Sequence, residues 1–173
     1  MEDILNTIVS RRSVKRFKQT MPSKEDIDKV IKAGMYAPSG RNKQASIILA
    51  ISNEQIKNDL SKILADFRGV DIDPFYGAPV YLVVLADTSV STYVYDGSVV
   101  IENMLLEAHS IGLGACWIHH AKEIFNSAYG KNLLKNLGID GEYEGIGTCI
   151  LGYSDVELNT HLPRKDNFVY YVE

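Results

Sequence analysis

The chain has 173 residues, 46% of them apolar and 23% charged, which excludes disordered, collagen-like and disulfide-scaffold classes. Eighteen Lys and Arg against 22 Asp and Glu leave a net charge of −4, which argues against a general nucleic-acid binder, since that needs surplus cations to displace phosphate counterions, and leaves room only for a local basic patch. A single domain of this length buries about 70% of the surface of its unfolded chain without needing metal or disulfide staples.

Ile4, Leu5, Ile8 and Val9 share one face of a short helix expected to stop near Ser10. Ser23, followed by Glu25 and Asp26, reads as a helix start, and Ile27, Val30, Ile31 and Met35 keep helical spacing until Pro38. Pro38 to Lys43 reads as a loop. Ser46 to Ile51 is a short apolar strand, and Asn53-Glu54 opens a helix running through Leu64. Phe67 to Pro79 is expected to be irregular, and connections this long in small domains are often functional. Val80 to Ala86 lacks polar alternation, as a strand covered on both faces does. Ser98 to Ser110 reads as a helix apolar around most of its girth, which needs partners on most sides, within the chain or from a second subunit. A strand at Ala115–Ile118, a mostly helical stretch from Ala121 to Leu137, a loop to Gly145, a strand from Ile146 to Tyr153 and a last strand at Phe168–Val172 complete the chain. This irregular alternation predicts an α+β fold, a central mixed, mainly antiparallel sheet flanked by helices.

Cys116 and Cys149 lie in apolar stretches with no CxxC and read as buried thiols in a reducing compartment. The N-terminus lacks a secretory pattern, and no apolar run approaches the ~20 residues of a membrane span, so a cytoplasmic protein without a membrane partner is expected.

Five of the eight residues from Arg11 to Lys18 are basic and none is acidic. Such a cluster in an acidic chain is either a solvated turn or a seat for a dianion, because arginine forks match phosphate oxygens in pairs. Arg164 and Lys165 form a second basic pair at the other end of the chain. In the loop Ala37 to Gln44, Ser39, Asn42 and Gln44 can each donate and accept hydrogen bonds toward a heteroaromatic edge, or simply build a helix stop. Ser39 lacks the GxSxG context of a nucleophile. Gly112-Leu-Gly114 and Gly145-Ile-Gly147 do not complete a dinucleotide fingerprint. The adjacent His119 and His120 would diverge on any regular backbone, which argues against a shared metal.

RRSVKRF, APSGRNKQ, the apolar helix running into IGLGACWI and the late PRK occur in the order that resembles FMN-dependent nitroreductases. The resemblance implies two interlocked chains holding two flavins at their interface. Arg11, Arg12 and Ser13 would then meet the phosphate, ribityl chain and ring edge, with Lys15 at the pyrimidine. Pro38, Ser39, Asn42 and Gln44 would reach the flavin from the partner subunit. Trp117, Ile118 and His119 would pass its central ring and offer a backbone amide, while Arg164 and Lys165 would close on the phosphate. Phe67, Phe75 and Tyr76, with Tyr93 and Tyr95, are candidates for lining the substrate space, or are ordinary core or interface aromatics.

It further implies an FMN oxidoreductase fed by NADH or NADPH, reducing nitroaromatics, quinones or similar flat acceptors in a ping-pong cycle. The cofactor carries the chemistry, so no side chain is assigned as catalytic and no metal is expected; Lys15 tunes the flavin. The alternatives are a dehalogenase or dehydrogenase on the same fold, and a flavin-storing protein without turnover. Ala45 and Ser46 replace the proline and aromatic residue common in relatives after the glutamine. Histidines at 119 and 120 stand where a small or acidic residue is common, and an imidazole there could alter substrate access or protonate a product.

Overall fold

A computed structural model describes residues 4–157 and 163–173. Two short helices come first, α1 (Ile4–Ser10) and α2 (Lys24–Met35), followed by β1 (Ser46–Ile51), α3 (Glu54–Arg68) and β2 (Val80–Asp87). Then come α4 (Tyr93–Ser110), β3 (Gly114–Ile118), α5 (Ala121–Asn126), α6 (Ala128–Asn136) and β4 (Tyr143–Gly152). The strands form one sheet in the order β1-β2-β4-β3, with every neighbouring pair antiparallel. A single parallel bridge, Ser13 to Ala115, adds the mixed element.

The unbroken apolar run of β2 follows from helices on both sheet faces. Tyr81, Val83 and Leu85 pack with Leu60 and Leu64 of α3 and Ile124 and Phe125 of α5. Val80, Leu82, Val84 and Ala86 point the other way, into Val30 of α2 and Ile101, Met104 and Leu105 of α4. Successive residues of a strand alternate faces, so each of them needs its own apolar layer. Both cysteines are free and buried, Cys116 in one layer and Cys149 in the other.

Local signals set the helix ends. Ser23 Oγ accepts from the Asp26 amide at 3.1 Å to cap α2, and Asn53 Oδ1 accepts from Ile56 N at 3.0 Å to cap α3. α3 runs a full turn beyond Leu64 and closes on left-handed Gly69 (φ 63°), so Phe67 is helical and the irregular connection is shorter than expected. The helical stretch after Ala121 is two helices, because Ser127 is extended and its Oγ caps α6 through Gly130 N at 3.1 Å.

The strand expected at Phe168–Val172 is absent: these residues form no ladder and are exposed. A strand exists only through pairing, and FVYYV meets no strand partner among the described residues. The apolar stripe of α1 is likewise open, with Ile4 and Leu5 76% and 63% exposed. Among the described residues no helix is long and apolar enough to cross a membrane.

Candidate functional site

The basic segment from Arg11 to Lys18 runs past the start of β3 and then along the residues that follow β4. Val14 N donates to Ala115 O at 3.0 Å, Lys18 N to Tyr153 O at 2.9 Å, and Asp155 N to Arg16 O at 3.0 Å. Val14 and Phe17 turn inward, so Ser13, Lys15, Arg16 and Lys18 are left facing outward, while Arg11 and Arg12 are half-buried. Gly114 makes this docking possible: a Cβ there would stand 2.8 Å from Val14 Cγ2. The glycine pair after α4 thus serves backbone packing, Gly112 turning the chain at φ 82° and Gly114 admitting the basic segment.

Arg11 and Arg12 line a cavity of about 260 Å³ with Ser10, His109, Gly112 and Ser154. Ser10 Oγ and His109 Nε2 are 2.7 Å apart, and the Arg12 guanidinium is steadied by Val9 O at 2.8 Å and Arg11 O at 2.6 Å. Burial pushes the Cys116 thiol up in pKa, and the Ser13 hydroxyl and the charges of Lys15 and Arg11 oppose that shift. Three of the predicted flavin ligands therefore face one stretch of β3.

Lys15 Nζ lies 5.7 Å from the centroid of the Tyr76 ring. Tyr76 is held at φ 56° by a turn that Asp73 organises, its carboxylate accepting from Phe75 N at 2.9 Å, Gly77 N at 2.6 Å and Ser61 Oγ at 2.6 Å. The same turn sends Phe75 inward, fully buried and stacked on Tyr81 with ring centroids 4.4 Å apart. Phe75 is a core residue and lines no substrate space; Phe67 stays 57% exposed.

The loop after α2 carries three left-handed non-glycine residues, Arg41, Asn42 and Gln44. Ser39 Oγ accepts from Gln44 N at 3.1 Å, Gln44 Nε2 donates to Asn42 Oδ1 at 3.1 Å, and Gly40 N donates to Asp96 Oδ1 at 3.0 Å. Asp96 is buried on α4 and takes Thr92 Oγ1 at 2.9 Å on its other oxygen. Pro38, Ser39 and Gln44 line a cavity of about 350 Å³ that neither Arg11 nor Arg12 shares. Asn42 is exposed beside it. Within one chain the two motifs line different cavities.

Trp117 is half-buried, Ile118 buried and His119 exposed at the end of β3. Trp117 Nε1 is buried against Gly147, where a Cβ would come within 2.3 Å, and has no hydrogen-bond partner among the described residues. Arg164 and Lys165 are exposed and do not line the Arg11–Arg12 cavity; Lys165 Nζ lies over the Phe168 ring at 5.6 Å. His161 lies outside the described residues.

Residues 8–157 match the model of the nitroreductase family. The chain belongs to the nitroreductase family. Crystal structures of nitroreductases with bound FMN from Bacteroides fragilis NCTC 9343 and Desulfitobacterium hafniense DCB-2 superpose with TM-scores of 0.88 and 0.87, at 26% and 28% identity, over 100% of both chains in each case. An Archaeoglobus fulgidus protein provisionally named NADH dehydrogenase/NAD(P)H nitroreductase is 34% identical over 123 residues, 68% of each chain.

In this nitroreductase-family chain two supporting carboxylates escaped the sequence reading. Asp73 had a signal, since Asp-Pro before an aromatic pair and glycine favours a turn that the Asp side chain closes. Asp96 had none, since it lies ahead of the helix expected from Ser98, and only the extra first turn of α4 brings it inside. The donor set along Arg11 to Lys15 fits an anionic tail joined to a ring bearing carbonyl and nitrogen acceptors, because guanidinium and ammonium groups donate and never accept.

Proposed function

We propose that this protein is an FMN-dependent oxidoreductase that draws reducing equivalents from NADH or NADPH and delivers them to nitroaromatics, quinones or similar flat acceptors in a ping-pong cycle. The observation that carries the reading is the extended Arg11–Lys18 segment, fastened by backbone bonds to Ala115 of β3 and to Tyr153 and Asp155 just after β4, with Lys15, Arg16 and Lys18 outward and Arg11 and Arg12 lining a cavity. The FMN-bound state of its structural relatives and the NAD(P)H name of the archaeal one support it.

FMN, when bound, supplies two-electron transfer between a nicotinamide and the acceptor. In this reading Arg11 and Arg12 neutralise the phosphate through paired N–H donors, and Ser13 adds a hydroxyl donor toward the ring edge. Lys15, set by Tyr76, holds a fixed positive charge where negative charge develops on reduction, so no reorganisation is needed at that moment. The backbone through Trp117, Ile118 and His119 would hold the ring's central edge. Pro38, Ser39, Asn42 and Gln44 would come from a second subunit, and Arg164 and Lys165 would approach the phosphate. Phe67 and Tyr76 would border the acceptor.

A homodimer accounts for the surfaces left bare. Ile4, Ile8, Tyr36 and Leu106 wall an apolar groove of about 560 Å³, and the FVYYV tail is exposed throughout. Apolar surface of this kind in a monomer marks an interface.

Purified protein should be yellow, release FMN on heat precipitation, and oxidise NADH or NADPH only when a quinone or nitroaromatic is supplied. A colourless protein that takes up no added riboflavin phosphate would overturn the reading.

A further inference from the structure

The corner between β3 and α5 holds an arrangement that flavin binding does not use. His120 sits there at φ 71°, a left-handed position uncommon for a residue with a Cβ and often found where strain serves a function. That turn brings its ring to 4.8 Å from the His119 ring and 5.5 Å from the Phe67 ring, centroid to centroid, although adjacent side chains on a regular backbone diverge. Its Nδ1 stands 3.5 Å from Glu123 Oε2. Both atoms are buried, and neither has a hydrogen-bond partner among the described residues.

A buried carboxylate oxygen requires a donor, and the donor facing this one is the His120 ring. Nδ1 therefore carries a proton toward Glu123. His120 retains 36% side-chain exposure while Nδ1 has none to speak of, so the open edge of the ring is the one that bears Nε2. Glu123 fixes the tautomer and the direction of the ring, as carboxylates beside working imidazoles do. The titratable groups facing the ring are Glu123 from α5 and His119 from its own segment, while α3 presents the uncharged Phe67. Lys122, the neighbouring cation on α5, is held by Glu144 at 2.8 Å.

We propose that His120 is the proton donor to the acceptor, with Glu123 as its positioning residue. The proposal rests on the oxidoreductase reading above. Reduction of a quinone to a hydroquinone needs two electrons and two protons. NAD(P)H becomes NAD(P)+ and supplies one hydride equivalent by way of the flavin, and one proton remains to be delivered. The Nε2–H bond of the imidazolium breaks as an acceptor O–H bond forms. The neutral ring keeps its proton on Nδ1 and regains the other from water. Phe67, proposed above to border the acceptor, lies against the ring that would act.

The test compares two acceptors at equal flavin loading: a benzoquinone, which must be protonated, and ferricyanide, which takes electrons without protons. Positioned general acids contribute roughly 10²–10⁴-fold, so His120→Gln should lower the ratio of quinone to ferricyanide turnover at least tenfold and flatten the pH profile for quinone. Glu123→Gln should lower the same ratio less. Independently of turnover, ¹⁵N–¹H correlation spectra of the imidazoles should show neutral His120 protonated at Nδ1, and a shift toward the Nε2–H tautomer in Glu123→Gln. A ratio within twofold of the parent protein, or a neutral His120 protonated at Nε2 in that protein, overturns the proposal. Should His120→Gln fail to fold, Glu123→Gln and the tautomer decide. A parent protein that reduces neither acceptor breaks the oxidoreductase reading, whereas one that reduces both with an unmoved ratio breaks only the role of His120.

Discussion

Replacing Gly145 with alanine tests how tightly the corner of the site is locked to the sheet. Gly145 lies in β4, beside a register shift: Val84 pairs with Gly147 and Leu85 with Gly145, leaving Ile146 as an extra residue. The first turn of α5 lies directly over it. A Cβ on Gly145 would come to 2.3 Å from Ala121 C, 2.4 Å from Ala121 O and 2.6 Å from Lys122 N. Comfortable carbon contacts begin near 3.5 Å, so α5 must lift by about 1 Å. All three obstacles are backbone and none can rotate away. Overpacking costs about 1–3 kcal/mol, and a rigid neighbour puts this case at the upper end; reduced freedom of the unfolded chain returns about 0.4–1 kcal/mol. The net loss of about 2–3 kcal/mol corresponds to a fall in Tm of roughly 4–12 °C for a chain of this size. Thermal unfolding followed by circular dichroism measures it, with Gly138→Ala as the comparison. Gly138 has φ 69° and open space around its missing Cβ, so only backbone strain of about 1–2 kcal/mol is incurred there. A Gly145→Ala loss below 2 °C, or smaller than that of Gly138→Ala, refutes the claim that α5 and β4 are in rigid contact.

Arg11→Ala combined with Arg12→Ala should weaken FMN binding about 10²–10⁴-fold, since charged hydrogen bonds contribute about 1.5–3 kcal/mol each, while riboflavin binding changes little; equal loss for both ligands in a fluorescence titration would show that the guanidinium groups do not read the phosphate. Burial pushes both thiols up in pKa, so the reactive thiolate of Cys116 and Cys149 is suppressed, and a colorimetric thiol reagent at pH 8 should label neither until denaturant is added. Rapid labelling of the folded protein would contradict their burial. Deleting residues 168–173 should shift the protein toward monomer in analytical ultracentrifugation, because the exposed FVYYV tail needs a surface to cover; an unchanged sedimentation coefficient per subunit mass, together with an unchanged Tm, would remove the tail from the interface.

Much of the fold was legible locally. The run SIILAI became β1 with the expected bounds, the apolar stripe of α1 stopped at Ser10, and Ser23 capped α2 where a hydroxyl ahead of two carboxylates indicated. These features depend on periodicity and on neighbours a few residues away, which the covalent chain carries with it. The Arg11–Lys18 cluster was legible for the same reason, being contiguous. Phe75 was misplaced because an aromatic residue in a connection looks the same whether it faces solvent or core; the carboxylate of Asp73 decides which way the turn sends it.

What the amino-acid order determined alone was the kind of most segments, the charge of the basic stretch and the family to which the motifs point. The tertiary structure decided the strand order β1-β2-β4-β3, the seating of Arg11–Lys18 against the start of β3, through the space at Gly114, and the residues after β4, and the meeting of Phe67, His119, His120 and Glu123 at one corner. Those outcomes join residues distant in the chain, and they are selected by which apolar faces can be covered at once and which buried polar atoms find partners, quantities that exist only once the layers have packed.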